Sequence, residues 1–395
     1  MVKAGQITLK DGRDGPVQSG NPWIFSQAID RVEPSGLEPG ELVEVRNCRG
    51  ALLGVGHYNP KTTIAVRMLT WGEDGAAAEQ WLEQRFRAAA HHRRAFVGDD
   101  TTCYRLVNGE GDGLPGLVVD RYADVLVTQF LSAGMDRMRE QVVNALMTSV
   151  GPRSILERSV GAVRRHEGLE DRVGRLAGED VGEVIALENQ IRVVVDIERG
   201  QKTGYFLDQR DNRARLSCLA RDARVLDGCC YEGGFGLAAL KGGARRVVAV
   251  DTSARALALA ETNRALNGAD PEALELVKAD LMEFLSGTEE RFDLIVLDPP
   301  PLARSRADGP RAERYFVELN RLALGVLADG GGLMTFSCST HFRNEDFMRA
   351  LRLAQARAGR RMRLTARLGA APDHPVMLGH IEGEYLTGAL LEELK

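Results

Sequence analysis

Hydrophobic and polar positions alternate through the first 70 residues, which predicts a small all-β unit. The alternation is clearest in Glu41–Val45, and two further apolar runs follow at 51–56 and 63–68. Glycine and proline residues separate these runs, as turns between short strands require. Apolar residues at helical spacing then predict a helix over about 75–97.

A second stretch, which extends to about residue 196, combines strand and helix patterns. Strands are predicted at Leu117–Asp120 and Val125–Phe130, and a helix is predicted over 135–149. A hairpin is predicted to join Val184–Leu187 to Ile191–Val195. The mixture predicts a unit of α and β elements after the β-rich start.

From about residue 200 onward, short apolar runs that end in aspartate alternate with helical stretches. The runs are Val225–Asp227, Val247–Asp251, Leu274–Asp280 and Leu294–Asp298. Such alternation predicts a parallel, doubly wound sheet. Because ligands of such sheets bind at the carboxyl ends of the strands, we expect these four acids to line one crevice.

The segment Asp227–Gly236, between the first of these strands and a helix, predicts a cofactor site. Its glycines let the backbone approach a ligand, and a helix N-terminus binds carboxylate or phosphate groups. Asp251, about 20 residues further on, is placed to bind ribose hydroxyls, and Asp280 to accept from an adenine amino group. Since the GxGxxG fingerprint is absent, the pattern favours S-adenosylmethionine (SAM) over a nicotinamide cofactor. The alternative is that both acids are only helix N-caps.

Asp298 and Cys338 predict the chemistry. Asp298 precedes Pro299 and Pro300, which favours an extended backbone at the tip of its strand, where a carboxylate hydrogen-bonds the edge of a planar base. Cys338 supplies a nucleophile, because thiolate addition at C6 activates the otherwise unreactive C5 of cytosine. A protonated Asp298 that donates to N3 would stabilise the adduct. The alternative is a buried, inert Cys338.

Composition narrows the class of protein. The 395 residues carry a net charge of −5, which gives no global support for nucleic-acid binding, and the arginine clusters are typical of solvated helix faces. Six cysteines without a CxxC pair indicate reduced thiols, and the histidines lack metal-binding spacing, so no metal is expected. There is no signal sequence and no apolar run that could span a bilayer, so we expect a cytoplasmic protein without a membrane partner.

Six segments resemble the bacterial large-subunit rRNA cytosine-C5 methyltransferases of the RlmI-like type, and the resemblance covers nearly the whole chain. The segments are Asn21–Ser26, Tyr104–Glu110, Asp112–Gly116, Val119–Tyr122, Lys202–Arg210 and Asp373–Val376. The resemblance implies an N-terminal PUA β-barrel (1–72), a central α+β domain (73–196) and a C-terminal Rossmann-like, class I SAM-dependent methyltransferase domain (197–395).

The same resemblance implies roles for individual residues. Cys338 is similar to the family's nucleophile, with Asp298 as its catalytic partner and Pro299 and Pro300 beside the substrate base. The implied cofactor-binding residues are Lys202, Thr203, Tyr205, Phe206, Asp208, Gln209, Arg210, Asp227, Gly228, Tyr231, Gly233, Gly234, Phe235, Asp251, Asp280 and Asp298.

The substrate that the resemblance implies is a cytosine in large-subunit (23S) rRNA. A PUA barrel would grip structured RNA through its phosphates, and the target cytosine would leave its stack to meet the thiol. The basic residues expected to contact RNA are Arg13, Arg46, Arg49, Lys61 and Arg67.

The sequence also departs from the family pattern. Pro301 stands where the family commonly has a lysine, and Glu313–Phe316 differs from the usual run beside the target base. The alternatives are methylation of a guanine or adenine nitrogen with Cys338 structural, an RNA-binding ribosome-assembly factor, and a nicotinamide-dependent oxidoreductase. The sequence does not identify the modified cytosine, the general base or the oligomeric state, for which a homodimer is one alternative.

Overall fold

The computed structural model describes residues 3–72, 80–197, 200, 202–303, 305–339, 341–342 and 344–394. The chain divides into two units. Unit 1 comprises Met1–Ala186, Val195–Leu207 and Pro372–Gly383, and unit 2 comprises Leu187–Val194, Asp208–Ala371 and Glu384–Lys395. Residues 75–79 of the predicted helix and the predicted domain boundary at residue 73 lie outside the described residues.

Unit 1 begins with a six-stranded sheet in the order β2-β6-β5-β4-β1-β3. Along β4, Val43 and Val45 are buried while their neighbours are not, as a strand with one face on a core requires. The alternation in the sequence therefore predicted this strand correctly. The elements are β1 (Gly5–Leu9), α1 (Gly15–Gln18), β2 (Trp23–Phe25), β3 (Ile29–Glu33), β4 (Glu41–Arg46), β5 (Leu52–Tyr58) and β6 (Ile64–Trp71).

A second, five-stranded sheet in unit 1 has the order β11-β10-β9-β8-β7. The helix predicted over 135–149 is two helices, because the backbone of Met138 (φ −90°, ψ 10°) leaves the helical region. Phe86, Val142 and Leu146 form part of the core beneath the sheet. The elements are α2 (Trp81–Arg93), β7 (Cys103–Asn108), β8 (Leu117–Tyr122), β9 (Val125–Phe130), α3 (Ala133–Arg137), α4 (Arg139–Val150), β10 (Ser154–Ser159), α5 (Ala162–His166) and β11 (Arg172–Gly178).

The predicted hairpin is confirmed as a two-stranded sheet of β12 (Val184–Glu188) and β13 (Ile191–Val195). Its turn residues, Asn189 (φ 48°) and Gln190 (φ 66°), both have left-handed backbones. Two consecutive left-handed residues are the signature of the tight turn that matches the twist of a hairpin.

Unit 2 contains a seven-stranded sheet in the order β16-β15-β14-β17-β18-β20-β19. Strands β14 to β18 are parallel to one another, and β20 is antiparallel to both of its neighbours. The predicted doubly wound parallel sheet is confirmed. The elements are α6 (Arg210–Leu219), β14 (Arg224–Gly228), α7 (Gly234–Lys241), β15 (Arg246–Asp251), α8 (Ala254–Leu266), β16 (Leu274–Lys278), α9 (Leu281–Gly287), β17 (Phe292–Leu297), α10 (Gly309–Val326), β18 (Leu327–Ser337), α11 (Asn344–Ala358), β19 (Met362–Leu368) and β20 (Thr387–Glu393).

Aromatic packing holds α10 and α11 in the core of unit 2. Phe316 stacks on Phe342 with ring centroids 5.0 Å apart and meets Phe347 edge-on at 5.7 Å. These rings are fully buried, and such pairs add to the energy of apolar burial. Among the described residues, no helix has the length and apolarity needed to cross a membrane.

Candidate active site

The carboxyl ends of β15, β14, β17 and β18 bring four predicted residues to one edge of the sheet in unit 2. Gly228 pairs with Leu297 across β14 and β17, so Asp298 directly follows its strand beside the glycine turn. Cys338 follows the end of β18, the next strand in the sheet, and Asp251 ends β15 on the other side of β14. The sequence predicted this convergence from strand ends alone.

The turn after β14 has an unusual backbone. Cys229 (φ 62°), Tyr231 (φ 49°) and Gly233 (φ 75°) are all left-handed, a conformation that costs energy for residues with a Cβ. The Cys230 N–H donates to the carbonyl of Val250 at 3.1 Å, which ties the turn to β15. The turn ends at the N-terminus of α7, as the glycine-rich segment predicted.

The turn also packs tightly against the sheet. A Cβ on Gly228 would lie 2.8 Å from the side chain of Leu281 and 3.1 Å from the carbonyl oxygen of Val296, so a larger residue there would require these neighbours to shift. Burial raises the pKa of the Cys229 thiol to about 12, which keeps it neutral. A neutral thiol suits a residue that packs the turn.

Asp227 is buried at the start of the turn. Its Oδ2 accepts from the backbone N–H of Gly236 at 2.8 Å, and its Oδ1 has no hydrogen-bond partner in the part of the chain that the structure describes. Burial raises its pKa to about 7, against the opposing effect of the Gly236 hydrogen bond. The nearby carboxylates of Asp298 and Asp251 are smaller causes that contribute to the same rise in pKa. Asp227 therefore titrates near neutral pH.

Asp251 and Asp280 order the backbone around them. Asp251 accepts from the N–H of Tyr231 at 2.9 Å through Oδ2 and from that of Ser253 at 2.8 Å through Oδ1. Asp280 caps α9, because its Oδ1 accepts from the N–H groups of Met282 (2.9 Å) and Glu283 (3.1 Å). The N-cap alternative thus describes Asp280 as it stands, and the ribose and adenine roles of the two acids stay predictions.

The loop after Asp298 is fastened to the segment that carries Cys338. The Sγ of Cys338 lies 3.9 Å from the carbonyl oxygen of Pro299, within the range of a thiol hydrogen bond. The Oγ of Ser339 accepts from the backbone N–H groups of Leu302 (3.1 Å) and Ala303 (3.3 Å). The thiol and the Asp-Pro-Pro loop therefore form one substructure.

Two amide side chains hold the carboxylate of Asp298. Gln209 donates from Nε2 to Asp298 Oδ2 at 3.0 Å, and Asn212 donates from Nδ2 to Gln209 Oε1 at 2.6 Å. Gln209 was predicted to bind the cofactor, and that role remains untested. Asn212 was not predicted, although its position three residues after Gln209, on the next helical turn, is a signal that the sequence contained.

Other predicted residues of unit 2 have structural contacts. Asp208 accepts a hydrogen bond from the hydroxyl of Tyr385 at 2.5 Å through Oδ2, and the Nε of the buried Arg210 donates to Asp211 at 3.0 Å. Tyr385 lies 177 residues from Asp208, and nothing in the sequence pattern indicated this pair.

The predicted segment Lys202–Phe206 lies in unit 1, where a buried network fixes it. The hydroxyl of Thr203 donates to Asp120 at 2.5 Å and accepts from that of Tyr122 at 2.9 Å, which in turn accepts from the N–H of Tyr205 at 3.2 Å. The Nζ of Lys202 lies 4.6 Å from the centre of the Phe206 ring. The cofactor roles of Lys202, Thr203, Tyr205 and Phe206 remain predictions.

The same network joins other segments on which the family resemblance depended. Arg105 makes a bidentate ion pair with Asp120 at 2.8 and 2.9 Å, and its backbone N–H donates to Asp373 at 2.9 Å. The buried Arg93 pairs with Asp112 and donates to the carbonyl of Asp373 at 2.8 Å. Segments far apart in the chain thus share one polar cluster in unit 1.

Two members of the predicted RNA-contacting set are paired with acids, and the RNA contacts of the set stay a prediction. Arg67 is engaged by Glu167 at 2.9 Å and Glu110 at 3.2 Å, and Arg46 is paired with Glu44 at 2.7 Å. Glu110 and Glu167 are distant from Arg67 in sequence, whereas Glu44 lies two residues from Arg46, so each guanidinium group is paired with a carboxylate. The side chains that remain exposed are those of Arg13, Arg49 and Lys61.

The chain matches two family models. Residues 118–379 match the S-adenosylmethionine-dependent methyltransferase family, and residues 7–71 match the PUA-like domain. The chain therefore belongs to the SAM-dependent methyltransferases, it carries an N-terminal PUA-like domain, and SAM is its cofactor.

Full-length relatives narrow the family further. The Ribosomal RNA large subunit methyltransferase I of Photobacterium profundum is 40% identical over 387 residues, which is 97% of this chain and 98% of the relative. That of Pseudoalteromonas atlantica is 38% identical over 395 residues, 99% of this chain and 100% of the relative. The chain belongs to the family of Ribosomal RNA large subunit methyltransferase I.

A solved structure has the same fold. SMU.776, assigned as a methyltransferase and crystallised with SAH, superposes with a TM-score of 0.84 at 20% identity, over 98% of this chain and 99% of the other. At this level of identity the likeness describes the fold alone.

The strand edge of unit 2 fits SAM. The cofactor carries a positive sulfonium and an ammonium group, and Asp227 offers a buried oxygen without a partner among the described residues. Asp251 and Asp280 add negative charge at the neighbouring strand ends, so the edge complements a cation.

Proposed function

We propose that the protein transfers the methyl group of SAM to C5 of a cytosine in large-subunit (23S) rRNA, through a covalent adduct of Cys338. The names of the relatives support rRNA as the substrate, and the PUA-like domain supports RNA binding. The observation that carries the cytosine-C5 chemistry is the fastening of Cys338 to the loop that follows Asp298.

The chemistry needs a nucleophile because C5 of cytosine does not attack a methyl group unaided. Addition of the Cys338 thiolate at C6 forms an S–C6 bond and moves electron density to C5. SAM supplies an electrophilic methyl group when it is bound. Loss of the C5 proton to a base then re-forms the double bond, breaks the S–C6 bond and releases Cys338.

Asp298 has the second role in this proposal. A carboxyl group at the end of β17, beside the thiol, can hydrogen-bond the N3 and N4 edge of the base. Donation of its proton to N3 stabilises the negative charge that thiolate addition places on the ring. Pro299 and Pro300 restrict the backbone that follows, which keeps the carboxyl in place.

The cofactor roles follow from the same edge. We propose that Asp251 binds the ribose hydroxyls and that Asp280 accepts from the adenine amino group through its Oδ2, since its Oδ1 caps α9. The turn 228–235 would surround the amino-acid part of SAM, with the N-terminus of α7 directed at its carboxylate.

The test uses methyl-labelled SAM and unmodified large-subunit rRNA transcripts, with the product nucleotide mapped by mass spectrometry. The expected product is 5-methylcytosine at a single position. Cys338→Ala should abolish transfer, while Cys218→Ala, which changes an exposed cysteine of the same unit, should retain it. With 5-fluorocytosine at the mapped site, the C5 substituent cannot leave as a proton, and an adduct with Cys338 should accumulate.

Retention of transfer by Cys338→Ala would contradict the covalent mechanism. A methylated guanine or adenine nitrogen as the product would instead support the alternative in which Cys338 is structural.

A further inference from the structure

A chain of hydrogen bonds leads from a backbone carbonyl to the carboxylate of Asp298. Asn212 donates from Nδ2 both to the carbonyl oxygen of Gly369 at 2.9 Å and to Gln209 Oε1 at 2.6 Å. Gln209 then donates from Nε2 to Asp298 Oδ2 at 3.0 Å. Asn212 and Gln209 are both buried, with 4% and 2% of their surface exposed, so each polar atom needs its partner.

The carbonyl of Gly369 fixes which group donates and which accepts in each of these hydrogen bonds. A backbone carbonyl can only accept, so the amide of Asn212 must present its NH2 group to it. The second hydrogen of that NH2 group points at Gln209, which must therefore present its oxygen to Asn212. The NH2 group of Gln209 is then committed to Asp298 Oδ2.

We propose that Gln209, oriented by Asn212, is a positioning residue that makes Asp298 distinguish cytosine from uracil. An oxygen that receives the Gln209 N–H cannot also carry a proton in that direction. A carbonyl oxygen accepts a hydrogen bond more strongly than the hydroxyl oxygen of an acid, so the Gln209 N–H favours protonation of Asp298 at Oδ1. The carboxyl group then presents a donor at Oδ1 and an acceptor at Oδ2, and the reverse order is disfavoured.

This order matches one pyrimidine. Cytosine offers an acceptor at N3 and a donor at N4, so N3 receives the Oδ1 proton while the N4 amino group donates to Oδ2. Uracil offers a donor at N3 and an acceptor at O4, and it would need the proton on Oδ2. In the register that brings C6 to Cys338, uracil meets donor against donor and acceptor against acceptor. Sites that leave buried polar groups unpaired reject a substrate strongly.

The inference deepens the proposed function and depends on it. The test compares kcat/KM on unmodified rRNA transcripts that carry either cytosine or uracil at the mapped position. Gln209→Leu should lower the cytosine-to-uracil ratio by at least about tenfold, because one lost polar contact is worth about one power of ten. Asn212→Leu should lower the ratio in the same direction, since the amide of Gln209 can then turn over.

Gln355→Leu is the matched control. Gln355 also lies in unit 2 and accepts from the backbone N–H of Met362 at 3.0 Å, on α11 and away from the strand ends. Its substitution should leave the ratio unchanged. Thermal melting of each variant shows whether it is folded, and either Gln209→Leu or Asn212→Leu suffices for the comparison.

The outcomes are distinct. Equal losses on both substrates would mean that Gln209 has only a structural role, and a higher KM for SAM with an unchanged ratio would make it a cofactor ligand; either result overturns the inference alone. A wild-type product other than 5-methylcytosine overturns the proposed function and this inference together.

Discussion

Aspartates near strand ends are held in different ways in the two units. In unit 1, Asp120 is fully buried and lies in bidentate contact with Arg105 at 2.8 and 2.9 Å. In unit 2, the hydrogen bonds to Asp227, Asp251 and Asp280 come from backbone N–H groups. Among the described residues, none of these three acids has an ion pair.

The difference separates structural carboxylates from those available to a ligand. A guanidinium group cancels the charge of Asp120, so that this acid can only hold its neighbours. Backbone N–H groups orient a carboxylate but carry no net charge, so they do not neutralise the acids of unit 2 as Arg105 neutralises Asp120. On the proposed function, the edge of unit 2 therefore attracts a cationic cofactor such as SAM more strongly than Asp120 does.

Among the substitutions that test this comparison, replacement of Arg105 should lower the free energy of unfolding the most. Arg105→Met leaves the buried carboxylate of Asp120 without its ionic partner. Removal of one partner of a buried pair costs about 3–5 kcal/mol. We expect a fall of this size in the free energy of unfolding, measured by urea denaturation.

The control for this variant is Arg165→Met. Arg165 and Asp171 form an exposed pair at 3.3 Å, for which a loss below about 1 kcal/mol is expected. Equal losses in the two variants would contradict the structural role of the Asp120 pair.

Asp227, in contrast to Asp120, should make the free energy of unfolding fall as the pH rises. Its pKa of about 7 in the folded protein lies above the 3.8 of an unperturbed aspartate, so between these values the folded state binds more protons than the unfolded state. The contribution of Asp227 is therefore fully present below about pH 4 and is lost as the pH rises to about 7, by about 4 kcal/mol in all. Asp227→Asn, which keeps an acceptor for Gly236, should remove this loss.

The measurement is the difference in unfolding free energy between wild type and Asp227→Asn across this pH range, without SAM. The variant should gain on the wild type as the pH rises. Asp270→Asn is the control, because the exposed Asp270 also accepts from a backbone N–H, at the opposite end of the sheet's strands. A difference that does not change with pH would show that Asp227 is not a buried acid of raised pKa.

The sequence could predict where these acids lie but not how they are held. Apolar runs that end in aspartate placed Asp251 and Asp298 correctly, because a parallel sheet brings its strand ends together. The partners of such acids come from segments that no local pattern connects, as with Gln209 for Asp298 and Tyr385 for Asp208. For the same reason, the basic residues of the sequence did not reveal that Arg67 is paired, since its partners Glu110 and Glu167 are remote in sequence.

The hydrophobic pattern of the sequence also did not predict local backbone geometry. The break at Met138 divides a stretch that has helical spacing throughout, and hydrophobic period does not reveal a single residue outside the helical region. The edge strand β19 and its neighbour β20 were missed, and much of β19 is exposed and has no continuous apolar run. A periodic pattern of apolar residues reflects burial, so it is a weak signal for an exposed strand such as β19.

Asp251 and Asp280 provide the smallest and most specific test of the comparison. Asp251→Asn removes a charge-assisted acceptor from the proposed ribose site, worth about 1.5 kcal/mol or more, so the Kd for SAM should rise at least about tenfold. Asp280→Asn keeps the N-cap of α9 and should raise the Kd only a few-fold, because asparagine caps a helix as well as aspartate does. Titration calorimetry with SAM measures both, with Asp270→Asn as the variant expected to bind normally. If Asp251→Asn bound SAM as tightly as the wild type, Asp251 would have only the structural role of ordering the backbone around it. Backbone N–H contacts would then no longer mark the acids that are available to a ligand.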